Sequence, residues 1–273
     1  MARLRAQSDS ETMKLNYEKE LSVAINAAKA AADILVSFRG KALVSEKATQ
    51  DLVTEADVQA EKTICEIIAA EFPDHQILGE EGGAGGGDNA DSLWIIDPLD
   101  GTNNYAHGIP QYCVSIAYYQ HGEARVGVIL DPNRDELFHA VQGEGSYLNG
   151  DRIRTSTASS LQHSIVATGF HYDRGELITK TLGAIEKLFM TNVRGVRRLG
   201  SAALDLAWVA CGRLEGYFEY KLSPWDYAAG VLIVTEAGGE SLDKFGNPID
   251  LESGGAIATN GQITEDFLNR IRW

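Results

Sequence analysis

The sequence predicts an α+β protein whose N-terminal half is rich in antiparallel strands and whose C-terminal half mixes strands and helices. Short runs rich in Val, Ile, Tyr and Phe follow one another between residues 113 and 141, separated by turns. From Ser164 onward, apolar runs of strand length alternate with runs of helical spacing. No long linker separates the two patterns. We therefore expect two lobes, about 14–155 and 156–273, packed with a cleft between them.

Two helices are predicted before the first strands. Apolar positions recur at helical spacing over residues 15–38, and Gly40 follows as a stop. A second helix is expected to begin near Thr54, whose hydroxyl can cap it, and to end at Phe72-Pro73. Residues 1–13 are polar and without periodicity, which indicates a loose N-terminal extension.

A strand at Gln76–Leu78 and a buried strand at Leu93–Ile96 flank the segment GGAGGGDNAD, residues 82–91. Its glycine content predicts a flexible surface loop. The two glycine-rich phosphate-binding fingerprints, GxGxxG and GxxxxGK[ST], are not met.

The remaining elements follow from the same patterns. Strands are predicted at Cys113–Tyr119, Ala124–Leu130 and Leu137–Val141, with a tight hairpin turn at Asn149-Gly150. Further strands are expected at Ile165–Thr168, Val193–Arg197 and Gly216–Tyr220, with helices near Leu177–Phe189, Ser201–Ala210 and Asp226–Ala237 and a last strand and helix within Ala256–Ile271.

The chain is acidic, with a formal net charge of −15 over 273 residues and a pI of about 4.8. A surface of this sign repels nucleic acid and anionic membranes, so neither is expected as a partner. An acidic protein that handles phosphate groups needs a local positive charge, for which bound divalent cations are the natural source.

The cysteines, the histidines and the N-terminal sequence argue against disulfide-rich, zinc-binding and secreted proteins. Cys65, Cys113 and Cys211 are widely spaced and form no CxxC pattern, so neither a disulfide framework nor a zinc site is indicated. The six histidines are scattered, and we expect surface or capping positions for them. No signal sequence and no run of about 18 apolar residues is evident. A cytoplasmic location follows as the expectation.

Two aspartates follow the buried strand at Leu93–Ile96. Asp97 and Asp100 are three residues apart around Pro98, and Gly101 follows, where the chain can turn sharply. Two carboxylates therefore converge at the end of a strand. The alternative is an Asp-Pro turn in which Asp100 caps the next helix.

Three other places put acidic side chains at the edges of elements: Asp57, Glu80 with Glu81, and Asp226. Taken singly, Asp57 could be a first-turn helix charge, the glutamates a solvated loop pair, and Asp226 an N-cap. Taken together, they favour a shared site whose mutual repulsion needs cations. Hard ions such as Mg²⁺ prefer carboxylate, carbonyl and water oxygens, which these residues supply.

The stretches that carry these residues resemble known signatures. WIIDPLDGTNNYAHGIP, residues 94–110, resembles the first signature of the inositol monophosphatase family, and PWDYAAGVLIVTEAGG, residues 224–239, resembles the second. DLVTEAD at 51–57 and GEE at 79–81 also match. The resemblance implies a layered αβαβα sandwich of the sugar phosphatase type, in a single domain over residues 14–273.

The resemblance also implies roles for individual residues. Metal ligands are implied at Glu80, Asp97, Asp100, Asp226 and the Leu99 carbonyl. Water activation is implied for Thr102 and Glu80, with Asp57 behind them. Substrate contacts are implied at Glu80, Leu99, Asp100, Gly101, Thr102, Gly200, Ser201, Ala202, Glu219 and Asp226. Asn103 stands where many members have Thr, which puts fine substrate contacts there in doubt.

The implied activity is hydrolysis of a phosphate monoester by a metal-activated water, with two or three Mg²⁺ ions per site, sensitivity to Li⁺ and a homodimeric assembly. We expect inositol 1-phosphate as the substrate, because short loops leave room for a compact polyol phosphate. Fructose 1,6-bisphosphate and histidinol phosphate remain open, and 3'-phosphoadenosine 5'-phosphate is least expected without a large insertion. The competing hypothesis is a noncatalytic regulatory binding protein, which predicts loss of a metal carboxylate or of Thr102.

Overall fold

The computed structural model describes residues 17–40, 44–48, 51–82, 85–87, 89–171 and 175–272. The predicted extension at residues 1–13 lies outside them. The first half contains α1 (Glu18–Phe38), β1 (Val44–Ala48), β2 (Asp51–Thr54), α2 (Glu55–Glu71), β3 (His75–Gly79), β4 (Gly85–Gly86), β5 (Asn89–Asp100), α3 (Thr102–Ala106), β6 (Cys113–Gln120), β7 (Glu123–Asp131), β8 (Glu136–Val141), β9 (Gly145–Leu148) and β10 (Asp151–Ile153). The second half contains a 3₁₀ turn (Leu161–His163), β11 (Ile165–Thr168), α4 (Glu176–Met190), β12 (Gly195–Arg197), α5 (Ala202–Ala210), β13 (Gly216–Glu219), α6 (Pro224–Glu236), β14 (Glu240–Leu242), β15 (Ala256–Thr259) and α7 (Thr264–Ile271).

These elements stack as helix, sheet, helix, sheet and helix layers, which confirms the predicted αβαβα sandwich. In the described part of the chain, the first sheet has eight strands in the order β10-β9-β8-β7-β6-β5-β3-β4, and α1 and α2 cover its outer face. Helices α5 and α6 lie between this sheet and a five-stranded sheet ordered β12-β11-β13-β15-β14. Helices α4 and α7 cover the outer face of the second sheet.

Strand pairing follows the predicted division between the halves. Strands β6, β7 and β8 form an antiparallel meander in chain order. Asn149 and Gly150 join β9 to β10 with φ of 51° and 88°, the left-handed backbone that a tight hairpin turn requires. In the second sheet, β11 runs parallel to β12 and β13, whereas β15 runs antiparallel to β13 and β14.

Helix α1 is long and apolar enough to cross a membrane, judged by its 21 residues and its composition. The search for about 18 consecutive apolar residues did not identify this helix, because Lys29 and Asp33 interrupt the apolar run. Its alanine-rich face is fully buried at Ala24, Ala27 and Ala28, where it packs with α2 against the first sheet. Helix α1 is therefore a helix of the outer layer whose alanine-rich face belongs to the hydrophobic core.

The prediction for residues 82–91 was partly wrong. Gly85–Gly86 forms β4 beside β3, and β5 already begins at Asn89. Residues 83, 84 and 88 lie outside the described chain. Glycine-rich strands give no side-chain alternation from which a strand can be predicted. The three-residue strand β14 was also missed.

Strand β5 fixes the position of the residues that follow. It lies between β3, to which it is parallel, and β6, to which it is antiparallel. Trp94, Ile95 and Ile96 are all at least 99% buried, and the Trp94 indole N–H donates to His75 Nδ1 over 3.1 Å. Because β5 is paired on both edges and buried on both faces, the residues at its carboxyl end are held in fixed positions.

Candidate active site

A cavity of about 260 Å³ lies where the end of β5 meets the N-termini of α5 and α6. Every site residue predicted from the sequence lines it except Asp57, namely Glu80, Asp97, Leu99, Asp100, Gly101, Thr102, Gly200, Ser201, Ala202, Glu219 and Asp226. The residues come from several distant parts of the chain, and the fold brings them together.

Asp97 and Asp100 face the cavity across a bulge at the end of β5. Asp97 pairs with Ser115 and Asp100 with Cys113, so β5 has one more residue than β6 in this interval. The Leu99 N–H donates to Asp97 Oδ1 over 3.0 Å instead of joining the ladder. Bulges of this kind re-aim side chains, and here both carboxylates line one cavity.

Asp226 joins them from the first turn of α6. Ser223 is the N-cap of this helix and Pro224 its first residue, so the alternative reading of Asp226 as the N-cap was wrong. Asp226 completes a capping box, because the Ser223 N–H donates to its Oδ2 over 2.6 Å. One carboxylate oxygen from each of Asp97, Asp100 and Asp226 lies within 4.8 Å of the others.

Asp100 is held at the N-terminus of α5. Its Oδ2 accepts hydrogen bonds from Ser201 Oγ over 2.6 Å and from the Ala203 N–H over 2.7 Å. The free N–H groups and the dipole at a helix N-terminus favour a carboxylate. The alternative in which Asp100 caps the next helix was wrong, because Gly101 is the N-cap of α3 and no side chain caps it.

These carboxyl groups resist ionisation in the absence of a cation. Burial is the largest cause and raises the pKa of Asp97 and Asp226 well above the ordinary range. The charges of Glu80 and Asp100 raise the pKa of Asp97 further. Burial also raises the pKa of Asp100, but the hydrogen bonds from α5 oppose it and the value reached is about 6.

The donor set fits a hard divalent cation. Within the described chain, Asp97, Asp100 and Asp226 are the acidic group close enough to share an ion, and it contains no His or Cys. The Leu99 residue and Glu80 line the same cavity, with carbonyl and carboxylate oxygens to offer. A bound cation would offset the repulsion that raises these pKa values.

Thr102 and Asp57 form a pair at the cavity edge. Thr102 Oγ1 lies 3.3 Å from Asp57 Oδ1 and 3.0 Å from the Leu99 carbonyl oxygen. Asp57 is fully buried in the first turn of α2, where the Thr54 N–H donates to its Oδ2 over 2.7 Å. Asp57 therefore is a first-turn acid of α2, as the alternative reading held, and it also lies directly behind Thr102.

The turn between β5 and α3 requires glycine. Gly101 has φ of 98°, and a Cβ there would lie 2.8 Å from the Gln111 carbonyl oxygen. Asn104 Nδ2 donates to that same carbonyl over 2.7 Å and to the carbonyls of Leu199 and Gly200 over 2.9 and 3.3 Å. One amide thus ties α3 to the loop before α5.

A buried carboxylate supports the turn that carries Glu80. The Glu81 N–H donates to Glu61 Oε2 over 2.8 Å, and the Glu80 N–H donates to the Ile96 carbonyl over 3.3 Å. A Cβ on Gly79 would lie 2.4 Å from the same Glu61 oxygen. Glu80 lines the cavity, so the reading of Glu80 and Glu81 as a solvated loop pair does not hold for Glu80.

Comparison with known proteins decides the family. The family model described as the inositol monophosphatase family matches residues 16–273. This chain belongs to the inositol monophosphatase family. It is 46% identical over 250 residues to the inositol-1-monophosphatase of Synechocystis sp., covering 90% of this chain and 86% of the relative. It is 42% identical over 255 residues to the Nus factor SuhB of Salmonella typhimurium, covering 92% and 95%. The solved inositol monophosphatase of Anabaena matches with a TM-score of 0.85 and 42% identity, covering 94% of this chain and 96% of that one.

These relatives support a phosphatase and imply a divalent metal, a phosphorylated substrate and the observed mixed α/β fold. In this inositol monophosphatase family member, each acidic residue that the sequence signatures assign to metal lines the cavity.

Glu219 marks the far side of the cavity of this family member. Tyr217 OH donates to its Oε2 over 2.8 Å. Burial raises the pKa of Glu219 to about 7, against the hydrogen bond from Tyr217 and the charge of Arg198. A Cβ on Gly169 would lie 1.7 Å from Glu219 Oε2, so a glycine is required beside this carboxylate.

Sequence reasoning missed several cavity residues of this inositol monophosphatase family member, which are Gly169, Phe170, His171, Arg198, Asp205, Lys221 and Leu222. Asp205 had a usable signal, since it is the acidic residue within the otherwise apolar α5 sequence AALDLAWVA. Arg198 and Lys221 are exposed and bring positive charge to the cavity. His171 also lines it, whereas the histidines were expected at surface or capping positions.

Proposed function

We propose that this chain is a Mg²⁺-dependent phosphatase that hydrolyses inositol 1-phosphate to inositol and phosphate. The observation that carries the proposal is the cluster of Asp97, Asp100 and Asp226, with one oxygen of each within 4.8 Å of the others. Glu80 and the Leu99 carbonyl would complete the oxygen ligands for two or three Mg²⁺ ions.

Bound Mg²⁺ would lower the pKa of a water molecule and offset negative charge as the phosphate ester bond breaks. The chain's own groups position the reactants. Glu80 and Thr102 would hold the attacking water, and Asp57 would orient the Thr102 hydroxyl through the hydrogen bond between them. The backbone N–H groups at Gly101 and Thr102 would face the phosphate.

The substrate preference rests on the size and lining of the cavity. A volume of about 260 Å³ lies just below the range of roughly 300–1,000 Å³ typical of drug-sized ligands, which favours a small sugar phosphate over a nucleotide. Glu219 and the segment Gly200-Ser201-Ala202 would contact polyol hydroxyls. Fructose 1,6-bisphosphate and histidinol phosphate remain the alternative substrates, and 3'-phosphoadenosine 5'-phosphate fits least well.

A substrate panel tests the proposal. The ratio kcat/KM is measured with Mg²⁺ for inositol 1-phosphate, fructose 1,6-bisphosphate, histidinol phosphate and 3'-phosphoadenosine 5'-phosphate, and again with a chelator in place of Mg²⁺. We expect the highest value for inositol 1-phosphate and loss of turnover without the metal. A clear preference for another member of the panel would replace the substrate, and metal-independent turnover would remove the mechanism.

The second candidate is a regulatory binding protein on the same fold. It is favoured by the relatives named Nus factor SuhB, of which the first is 42% identical over 92% of this chain. It predicts loss of a metal carboxylate or of Thr102, and all of these residues line the cavity. Absence of Mg²⁺-dependent turnover on the whole panel would favour this candidate. Binding of a protein partner is compatible both with turnover and with its absence.

Assembly, location and inhibition complete the proposal. We propose a cytoplasmic homodimer without nucleic acid or membrane as a direct partner, with the N-terminal lobe at about 14–155 and the C-terminal lobe at about 156–273. Light scattering of the purified protein tests the dimer. Li⁺ would compete at one Mg²⁺ site, and inhibition that is relieved by added Mg²⁺ would support this.

A further inference from the structure

Asp205 lies on the cavity wall with no assigned task. It sits in the first turn of α5, is 1% exposed and lines the cavity. It is not part of the cluster of Asp97, Asp100 and Asp226, whose oxygens lie within 4.8 Å of one another, so metal binding does not account for it.

The Asp205 carboxyl group has an oxygen without a hydrogen bond. Its Oδ1 is buried and has no hydrogen-bond partner among the described residues. Buried polar atoms in native proteins are nearly always paired, because an unpaired one costs about 1–3 kcal/mol. Burial is also the largest cause of the raised pKa of Asp205, the charges of Asp100 and Glu219 raise it further, and the charge of Arg198 lowers it by a smaller amount. An unpaired acceptor in a cavity wall is the expected state of a group whose partner arrives with a ligand.

Asp205 has an acidic neighbour in the same wall. Glu219 lines the same cavity, and its negative charge adds to that of Asp100 in raising the pKa of Asp205. Tyr217 already donates to Glu219 Oε2, which leaves Glu219 Oε1 for another donor. Gly169 has no side chain to cover this carboxylate. The two residues thus bring carboxyl groups to the wall of the same cavity.

From this juxtaposition we infer that Asp205 is a substrate-binding residue that, together with Glu219, accepts hydrogen bonds from neighbouring hydroxyl groups of a polyol phosphate. The inference rests on the proposed function for its substrate class and adds a residue to it. Hydroxyl groups are the donors that suit two adjacent carboxyl groups, because they donate without bringing further negative charge. A site built to bind a hydroxyl discriminates strongly against a ligand that lacks it.

The test compares substrates with and without such hydroxyls. In Asp205→Ala, which removes the acceptor, kcat/KM for inositol 1-phosphate should fall by about 10- to 100-fold, the range for loss of a buried hydrogen-bond partner. The same ratio for p-nitrophenyl phosphate, which has no polyol, should change less than about threefold on the same reasoning. Glu219→Ala should show the same selective loss. Asp131→Asn, a fully buried acid outside the cavity, serves as a control that alters the melting temperature but not the preference between substrates.

A structural role for Asp205, or an effect on the metal cluster, would lower kcat/KM for both substrates equally, and that result would overturn the inference. Failure of the proposed function is a separate result, in which the wild-type protein hydrolyses neither substrate with Mg²⁺. In that case calorimetry with myo-inositol still tests Asp205. A tenfold or greater weakening in Asp205→Ala supports the inference, on the scale given above. Equal affinity, or no binding by the wild type, contradicts it.

Discussion

Ser201 donates its hydroxyl hydrogen to Asp100 Oδ2 over 2.6 Å, joining the N-terminus of α5 to the bulged end of β5. The two residues are 101 positions apart in the chain. A cavity carboxylate from the first sheet is therefore oriented by a helix that begins in the other half of the chain.

Removing this hydroxyl should weaken metal binding. In Ser201→Ala, Asp100 loses one of its donors, and we expect the apparent affinity for Mg²⁺ to fall by about 10- to 100-fold, as for other groups that orient a ligand. Ser146→Ala is a matched control, because Ser146 Oγ donates over 2.6 Å to the Ile233 carbonyl in the core. The control should be less stable by about 1 kcal/mol with unchanged Mg²⁺ dependence. Equal Mg²⁺ dependence in both variants would contradict the prediction.

Gly101→Ala should reduce both stability and turnover. The left-handed backbone alone costs a non-glycine residue about 1–2 kcal/mol, and at Gly101 the added Cβ would also lie 2.8 Å from the Gln111 carbonyl oxygen. Gly108→Ala separates these effects, because Gly108 also has positive φ, 71°, with no atom within 4 Å of the added Cβ. Urea unfolding should show a larger loss for Gly101→Ala, with turnover falling only there. Similar losses in both would argue against the close contact.

The Thr102 hydroxyl should matter more than the Thr102 methyl group. Thr102→Val keeps the shape of the side chain but removes the contacts to Asp57 and Leu99, so kcat should fall by about 10²- to 10⁴-fold, the range for a positioned proton-transfer group. Thr102→Ser retains the hydroxyl and should keep most of the activity. Steady-state kinetics at saturating Mg²⁺ measure both. Turnover of the Val variant near that of the wild type would exclude Thr102 from water activation.

Asp97→Asn should abolish activity and stabilise the metal-free fold. Burial and the charges of Glu80 and Asp100 raise the pKa of Asp97, so its ionised form is unfavourable in the folded protein near neutral pH. The amide removes that charge without changing the size of the side chain. Melting temperature in a chelator at pH 7.5 should therefore rise, while turnover with Mg²⁺ disappears. Wild-type turnover in this variant would rule out the metal assignment.

The metal-free protein should lose stability as the pH rises from about 5 to about 7. The folded-state pKa is about 7 for Glu219 and about 6 for Asp100, above the ordinary values of 4.5 and 3.8. A raised pKa means that the folded state binds protons more tightly than the unfolded state, so the contribution is largest at low pH and is lost as pH passes the folded-state pKa. Denaturant unfolding in a chelator measures this slope.

Two changes should flatten that slope for different reasons. Glu219→Gln removes the titrating group beside Tyr217, whereas added Mg²⁺ removes the contribution of Asp100 by favouring its ionised form. A slope of opposite sign in the chelator would mean that the carboxyl groups are not raised in pKa.

The sequence signals that succeeded were local. The Thr54 hydroxyl was predicted to cap α2, and in the structure it accepts from the Asp57 N–H. The buried strand before Asp97 was predicted from its apolar run, because burial on both faces leaves no polar alternation. The convergence of Asp97, Asp100 and Asp226 was predicted because several acidic residues at element edges, each explicable singly, favour a shared site when taken together.

The signals that failed depend on distant neighbours. Asp205 is polar on a helix whose other residues are apolar, but its place in the cavity is set by the packing of α5 between two sheets. Arg198 lines the cavity from a loop that Asn104 ties to α3, a contact between distant positions. The N-cap of α6 was misplaced because Ser223 and Asp226 both suit that position, and local preference does not choose between them.

The Asn104 amide bears on how the chain acquires its activity. Two of its acceptors, the carbonyls of Leu199 and Gly200, are 95 and 96 positions away, so the contact exists only after the two halves have met. Contacts between distant positions form late and slowly, because a long loop must close first. During refolding, the antiparallel strands β6 to β9 can form from sequence-local pairings, but that intermediate would have no catalytic activity. The rate at which turnover recovers during refolding would then measure the rate at which the two halves of the chain pack together.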